Sequence, residues 1–152
     1  MNNKDISSLT IPFCGEMQGD KHCLTLRVYY ADTDFSGVVY HGRYLEFLER
    51  GRSEFLRLHD IHHHLMIEAR EGEASAWIVR RMSLDFASPA RIDDILHVET
   101  AIAQVKPARI SMRQQILCKE KLLVTAQVEV ALINAAGRPR RLPLAFLSKF
   151  FG

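Results

Sequence analysis

Cysteine is scarce: three residues, Cys14, Cys23 and Cys118, in a chain of 152. The number is odd, and the spacing matches neither a disulfide framework nor a zinc ligand set. That argues against a stapled secreted scaffold, and a cytoplasmic, reducing compartment is expected. Long apolar runs are also lacking. No stretch approaches the about 18 residues that suggest a membrane-crossing helix, so no membrane span is expected. The opening Met-Asn-Asn-Lys-Asp carries neither a basic region nor an apolar run behind it, and no signal peptide is expected. An excess of either charge is missing: 20 basic side chains meet 18 acidic ones, for a net charge of +2. So weak a field does not point to nucleic acid or a membrane surface as partner, although a small anion needs only a local basic patch. Two chemical signatures are absent as well. There is no Gly-x-Ser-x-Gly nucleophile elbow and no glycine-rich phosphate loop.

What is present is the composition of a globular domain, 47% apolar and 25% charged, long enough for one core. Residues 1–21 include Pro12, Gly15 and Gly19 and show no sustained period, so a loosely ordered N-terminal arm is expected before a domain over 22–152. Leu24 to Ala31 alternates and is rich in strand formers. Asp32-Thr33-Asp34-Phe35-Ser36-Gly37 is turn chemistry. From about His41 to His59, Tyr44, Phe47, Leu48, Gly51, Phe55 and Leu58 recur at helical spacing along one face. Glycine inside a helix costs about 1 kcal/mol relative to alanine, and its use on that face is close approach of another backbone. Four strand-like runs follow: Ser75–Phe86, Ile95–Val105, Ile110–Cys118 and Leu122–Ile133. Short turns join the last three, which predicts an antiparallel meander. Strict alternation in the first of the four puts Arg80 and Arg81 on opposite faces. Leu144 to Phe151 reads as a short terminal strand or helix. A lone amphipathic helix must bury its stripe on the sheet, so the fold class is α+β with one central helix.

The chemistry concentrates in Tyr29 to Arg52. Asp32 and Asp34 stand just before a helix start, and His41 lies at or near it. A helix N-terminus offers unpaired N–H groups and partial positive charge to an anion or a developing oxyanion. Aspartate and serine in that place are also ordinary caps, so spacing alone leaves capping and catalysis both open. His59 and His63 have the i, i+4 spacing of a metal pair, but no third ligand is evident and an exposed helix end is the simpler reading. No metal and no cofactor is expected.

Tyr30, Asp32, Thr33, Asp34, Gly37, Val38, Val39, Tyr40 and His41, followed by Tyr44, Leu45, Phe47, Glu49 and Arg52, form one long motif. Trp77 to Met82 and Ser88 to Asp94 extend it. The motif closely resembles that of hotdog-fold acyl-CoA thioesterases of the 4-hydroxybenzoyl-CoA thioesterase type, nearest to the bacterial branch associated with the Tol–Pal envelope system. The resemblance implies an antiparallel sheet of five or six strands wrapped around the helix. It implies hydrolysis of an acyl-CoA to free acid and coenzyme A, in a site between the subunits of a homodimer or homotetramer. The family's catalytic aspartate maps onto Asp34, its oxyanion donor onto the backbone N–H of His41, and its assisting histidine onto the His41 side chain. Substrate contacts map onto Tyr30 and Glu49, and basic turns like the one flanked by Lys106 and Arg109 contact coenzyme A phosphates. The alternatives for this chain are a hotdog thioesterase or dehydratase acting on acyl carrier protein, or a non-catalytic hotdog protein that binds a partner of the envelope or lipid-synthesis machinery.

Overall fold

The computed structural model describes residues 14–69 and 74–151. In chain order the elements are β1 (Glu16–Gln18), β2 (Lys21–Arg27), a 3-10 turn (Tyr30–Asp32), α1 (Arg43–Leu58), α2 (His63–Ile67), β3 (Ser75–Phe86), β4 (Ile95–Lys106), β5 (Arg109–Cys118), β6 (Lys121–Asn134) and α3 (Leu144–Phe151). The strands make one antiparallel sheet in the order β1-β2-β4-β5-β6-β3. The meander β4-β5-β6 is the one its short turns predict. Lys119 and Glu120 both take positive φ in the β5–β6 turn, the conformation that matches the twist of a two-residue hairpin. The terminal segment is a helix rather than a strand.

Helix α1 lies on one face of this sheet, the hotdog arrangement. It buries Tyr44, Phe47, Leu48, Gly51, Arg52, Phe55 and Leu56. Across from it lie Leu96, Val98, Ile110, Met112, Ile116, Val124 and Leu132, all at most 2% exposed. Two details differ from the expected stripe. Leu58 is left exposed at the helix end, and Arg52, expected on the polar face, is buried. Its guanidinium donates to Gln114 Oε1 at 3.0 Å. Gln114 in turn donates to the Leu48 carbonyl at 2.9 Å and to Thr100 Oγ1 at 2.8 Å. Buried polar groups are tolerable when paired in this way. Burial nonetheless pushes the Arg52 pKa down, with only the nearby Glu49 charge opposing it.

Gly51 sits where helix and sheet come closest. A β-carbon there would lie 2.8 Å from Val98 Cγ1, 3.0 Å from Thr100 Oγ1 and 3.2 Å from Gln114 Nε2. The approach is therefore close, but what the helix backbone meets is the side chains of β4 and β5, not the second backbone expected from the sequence.

Strand β3 departs from strict alternation. Its register against β6 shifts between Val79 and Arg81, a bulge that inserts one residue. Trp77 and Val79 thus share the helix side with Met82, Leu84 and Phe86, since they pair with Leu132, Val130, Val128, Ala126 and Val124. Arg80 and Arg81 are both exposed on the other side. Arg80 reaches Glu129, the ladder partner of Arg81, at 3.3 Å. The two arginines therefore do not point apart, as alternation alone predicts.

Most of the segment over 1–21, expected as a loose arm, lies outside the described residues. From Cys14 onward it is tied down. β1 pairs with β2, and the fully buried His22 donates its Nε2–H to the Cys14 carbonyl at 2.7 Å. Gly15 has φ +70° and passes so close that a β-carbon would meet the Cys23 carbonyl at 2.3 Å.

Replacing Gly51 with leucine is expected to destabilise the fold by about 3 kcal/mol or more, since neither Val98 nor the paired Gln114 can retreat without loss. A thermal melt of the two proteins checks this; an unchanged midpoint would mean that the helix is free to lift off the sheet.

Candidate active site

The end of β2 is clamped to the loop before β4. Val28 N–H donates to Asp94 O and Asp93 N–H to Val28 O, each at 2.9 Å. Val39 N–H donates to Ala90 O at 2.8 Å, and Ala90 N–H donates to the buried Tyr44 hydroxyl at 2.9 Å. The Ser88–Asp94 motif thus anchors both the aspartate loop and the first turn of α1.

Within that frame the two aspartates do different things. Asp32 Oδ2 accepts the Tyr29 N–H at 2.8 Å, and Oδ1 pairs with Arg43 Nε at 3.2 Å. Arg43 also donates to Ala31 O. Asp32 therefore holds the turn against the helix. Asp34 stands at the head of a tight loop closed by Asp34 N–H to Val38 O at 2.9 Å and Gly37 N–H to Asp34 O at 3.1 Å. Gly37 has φ +78°, the left-handed conformation that this turn requires. Asp34 Oδ1 accepts from the Ser36 hydroxyl at 2.6 Å and from the Ser36 N–H at 2.9 Å. These bonds, the Ser36 hydroxyl first, hold the Asp34 carboxyl below its ordinary pKa. The backbone amides of Val38 and of Asp34 itself add to the same effect, and among the described residues no side chain hydrogen-bonds Oδ2. An ionised carboxylate with one oxygen fixed and one free can act as a nucleophile or a base.

Helix α1 begins a few residues later. Its first bonds are Arg43 N–H to Tyr40 O and Tyr44 N–H to His41 O. The backbone N–H groups of His41 and Gly42 have no acceptor among the described residues. The His41 ring lies 4.5 Å from that of Tyr40, centroid to centroid. Asp34 borders an open depression with Tyr30, Thr33, Phe35, Gly37 and Ile92. His41 borders another, with Val39, Tyr44, Phe86 and Pro89.

The remaining expected site residues are more scattered. Glu49 is two turns along α1, with Oε1 accepting the Ser53 hydroxyl at 2.6 Å. Lys106 and Arg109 face each other across the β4–β5 turn. The far end of β4 abuts the Asp34 loop, and eleven residues of strand at about 3.3 Å each separate them. Within one chain they do not meet Asp34. Arg109 instead leans on Glu129 at 3.4 Å, which it shares with Arg80. His59 and His63 are not on one helix: His59 caps α1 and gives its Nδ1–H to Phe55 O, while His63 opens α2 and meets Ser53. Sequence reasoning missed Ser36 and Ser53 as hydrogen-bond partners and Tyr44 as an anchor, and weighed His63 only as half of a metal pair. Only Ser36 left a local trace, as the third residue of an Asp-x-Ser turn.

One antiparallel sheet packed around one long helix defines a hotdog-fold protein. Comparison with known proteins agrees. Residues 28–150 match the thioesterase-like superfamily. The chain is 39% identical to the acyl-CoA thioester hydrolase YbgC of Escherichia coli O6:H1, over 82% of this chain and 92% of that protein. It is 38% identical to the acyl-CoA thioesterase YbgC of Haemophilus influenzae, over 80% and 85%. Among solved structures, a probable thioesterase from Bartonella henselae superposes with a TM-score of 0.79 at 54% identity, covering 81% of this chain and 99% of that one. The chain belongs to the thioesterase-like superfamily.

Asp34→Asn is expected to lower kcat by about 10² or more while leaving the fold intact, because an amide still fits the turn. Asp32→Asn is expected to lose stability first. Because the folded pKa of Asp34 is depressed, the carboxylate stays charged as pH falls through the ordinary carboxylate range. The acid limb of kcat/KM should then lie below the ordinary aspartate range and move up in Ser36→Ala. Thiol release against pH, with melts of each variant, tests all three; normal turnover in Asp34→Asn reverses the assignment.

Proposed function

We propose that Asp34 is the essential carboxylate of this thioesterase and that the backbone N–H of His41 receives the developing oxyanion. The single observation that carries the reading is the Asp34 carboxylate, fixed through Oδ1 by Ser36 and free at Oδ2, set just ahead of a helix start with unbonded amides. The reaction is acyl-CoA plus water giving free acid and coenzyme A, the activity for which the YbgC relatives are named. A thiol with a pKa of about 8.5 leaves readily as thiolate, so no strong general acid is required. The carboxylate attacks the carbonyl carbon or takes a proton from the attacking water. One fixed N–H donor at the oxyanion contributes about 10²–10³ in rate. The His41 side chain assists at the same helix start, and Tyr30 and Glu49 line the substrate's path.

The site is completed by a second copy of the chain. In one subunit Tyr30 is 83% exposed and Phe35 fully so, beside an Asp34 with no wall opposite. Ile78 and Val79 are exposed on the edge strand β3, whose free backbone groups suit pairing with another β3. Light scattering at micromolar concentration should give at least twice the mass of one chain, as a dimer or tetramer; a monomer would sink this arrangement.

Lys106 and Arg109 hold the nucleotide phosphates of coenzyme A, and their distance from their own Asp34 makes them servants of a neighbouring subunit's site. Replacing both with alanine should raise KM for acyl-CoA and leave an acyl-pantetheine thioester unaffected. Equal effects on both substrates would remove the assignment. We also place the protein in the cytoplasm, a reading supported by three cysteines without a disulfide partner, which suit a reducing compartment. No helix among the described residues is long and apolar enough to cross a membrane.

A further inference from the structure

The chain is nearly neutral, yet its charge is unevenly spread. Residues 130–152 hold four basic side chains, Arg138, Arg140, Arg141 and Lys149, and no acidic one, so the remaining residues, with 16 basic against 18 acidic, are net negative. The same stretch ends in α3, which is apolar throughout except for Ser148 and Lys149. One side of this helix is anchored. The Phe146 ring lies 6.0 Å from that of Trp77, and the Phe150 ring 6.1 Å from that of Phe55, centroid to centroid. Leu147 packs on the same core. Leu144 and Phe151, seven residues apart, fall with Ser148 on a stripe that this docking leaves bare. Leu144 is 82% exposed and Phe151 71%.

Arg138 and Arg141 are exposed in the segment that leads into α3. Leu142 is buried there, and its N–H donates to Pro107 O at 2.8 Å. That bond pins the segment to the β4–β5 turn and continues its basic surface toward Lys106 and Arg109. Lys149, on α3 itself, is partly engaged: its Nζ donates to Asp60 O at 3.0 Å and lies 3.8 Å from the Asp60 carboxylate. The guanidinium groups of Arg138 and Arg141 have no acidic partner among the described residues. Exposed leucine and phenylalanine preceded by unpaired arginines match a bilayer surface that bears anionic headgroups. The apolar side chains enter the headgroup layer while the guanidinium groups pair with lipid phosphates.

We propose that α3, with Arg138 and Arg141, is a docking surface for an anionic lipid bilayer, which holds the protein reversibly at a membrane face. The inference goes beyond the hydrolysis reading and does not depend on it. The test is co-sedimentation of the intact protein with lipid vesicles. It should sediment with vesicles of mixed phosphatidylglycerol and phosphatidylcholine, stay in solution with phosphatidylcholine alone, and be released as salt screens the charges. Arg138→Ala with Arg141→Ala should weaken binding about ten-fold or more. Leu144→Ser with Phe151→Ser should also weaken it, through the lost apolar contact. All four side chains are exposed, so both variants should melt like the native protein and hydrolyse a short acyl-CoA in solution at its rate. Absence of binding to the anionic vesicles, or native binding by both variants, overturns the proposal. So does a raised KM for soluble acyl-CoA in the arginine variant, which would assign the arginines to the substrate's phosphates. A smaller oligomer in the Leu144 and Phe151 variant overturns it too, by making the stripe a contact between copies of the chain. Vesicle binding is read without turnover, so its failure leaves Asp34-dependent hydrolysis standing.

Discussion

At Gly51 the backbone of α1 rests directly on the side chains of Val98, Thr100 and Gln114. That contact sets the depth and rotation of the helix, and the positions of the other groups follow from it. With the backbone so close, the Leu48 carbonyl comes within reach of Gln114, and Gln114 in turn receives Arg52. The rotation that buries Arg52 also leaves Glu49 beside Ser53 and brings Tyr44 to Ala90. The first turn of α1 is thereby pinned to the same loop that pins the aspartates. A polar network under the helix would be a liability if half made; here each member has a partner, so it specifies one seating of the helix.

Two carboxylates only two residues apart have opposite fates, and hydrogen bonds decide them. Asp32 spends both oxygens on its neighbours, a backbone amide and a guanidinium. Asp34 spends one, on a serine two residues ahead, and keeps the other. Both serve the local turn, yet only Asp34 retains a free, ionised oxygen in an open depression. Asp32 is therefore a turn-holding residue, and Asp34 is the one to which the proposed catalytic role belongs.

The β3 bulge shows how one inserted residue redistributes a surface. Without it, Met82, Leu84 and Phe86 could not share the helix side with Trp77 and Val79, and the sheet would lose apolar cover at one end or the other. With it, Arg80 and Arg81 both go to the far face, where Arg80 joins Arg109 on Glu129. Apolar side chains are left exposed on the β3 edge, at Ile78 and Val79, and beside Asp34, at Tyr30 and Phe35, the surfaces that the proposed second copy would cover.

The order of elements, the helix stripe, the meander and the need for a small residue at Gly51 were legible in the sequence, because each rests on local periodicity or turn chemistry. So was the stretch from Tyr30 to Arg52, because its motif is contiguous. The bulge was not legible: Val79, Arg80 and Arg81 alternate without interruption on paper, and only pairing with β6 reveals the extra residue. The burial of Arg52 was hidden for the same reason, its partner Gln114 being sixty-two residues away. Ser53 and His63 meet only because the chain turns between α1 and α2, which separates His59 from His63 and ends the metal pair their spacing suggested. The sequence by itself determined the α+β class and the candidate carboxylate, since these depend on neighbours along the chain. Which side chains pair beneath the helix, and which aspartate keeps a free oxygen, was decided by the tertiary structure, because hydrogen bonds and packing are settled by neighbours in space.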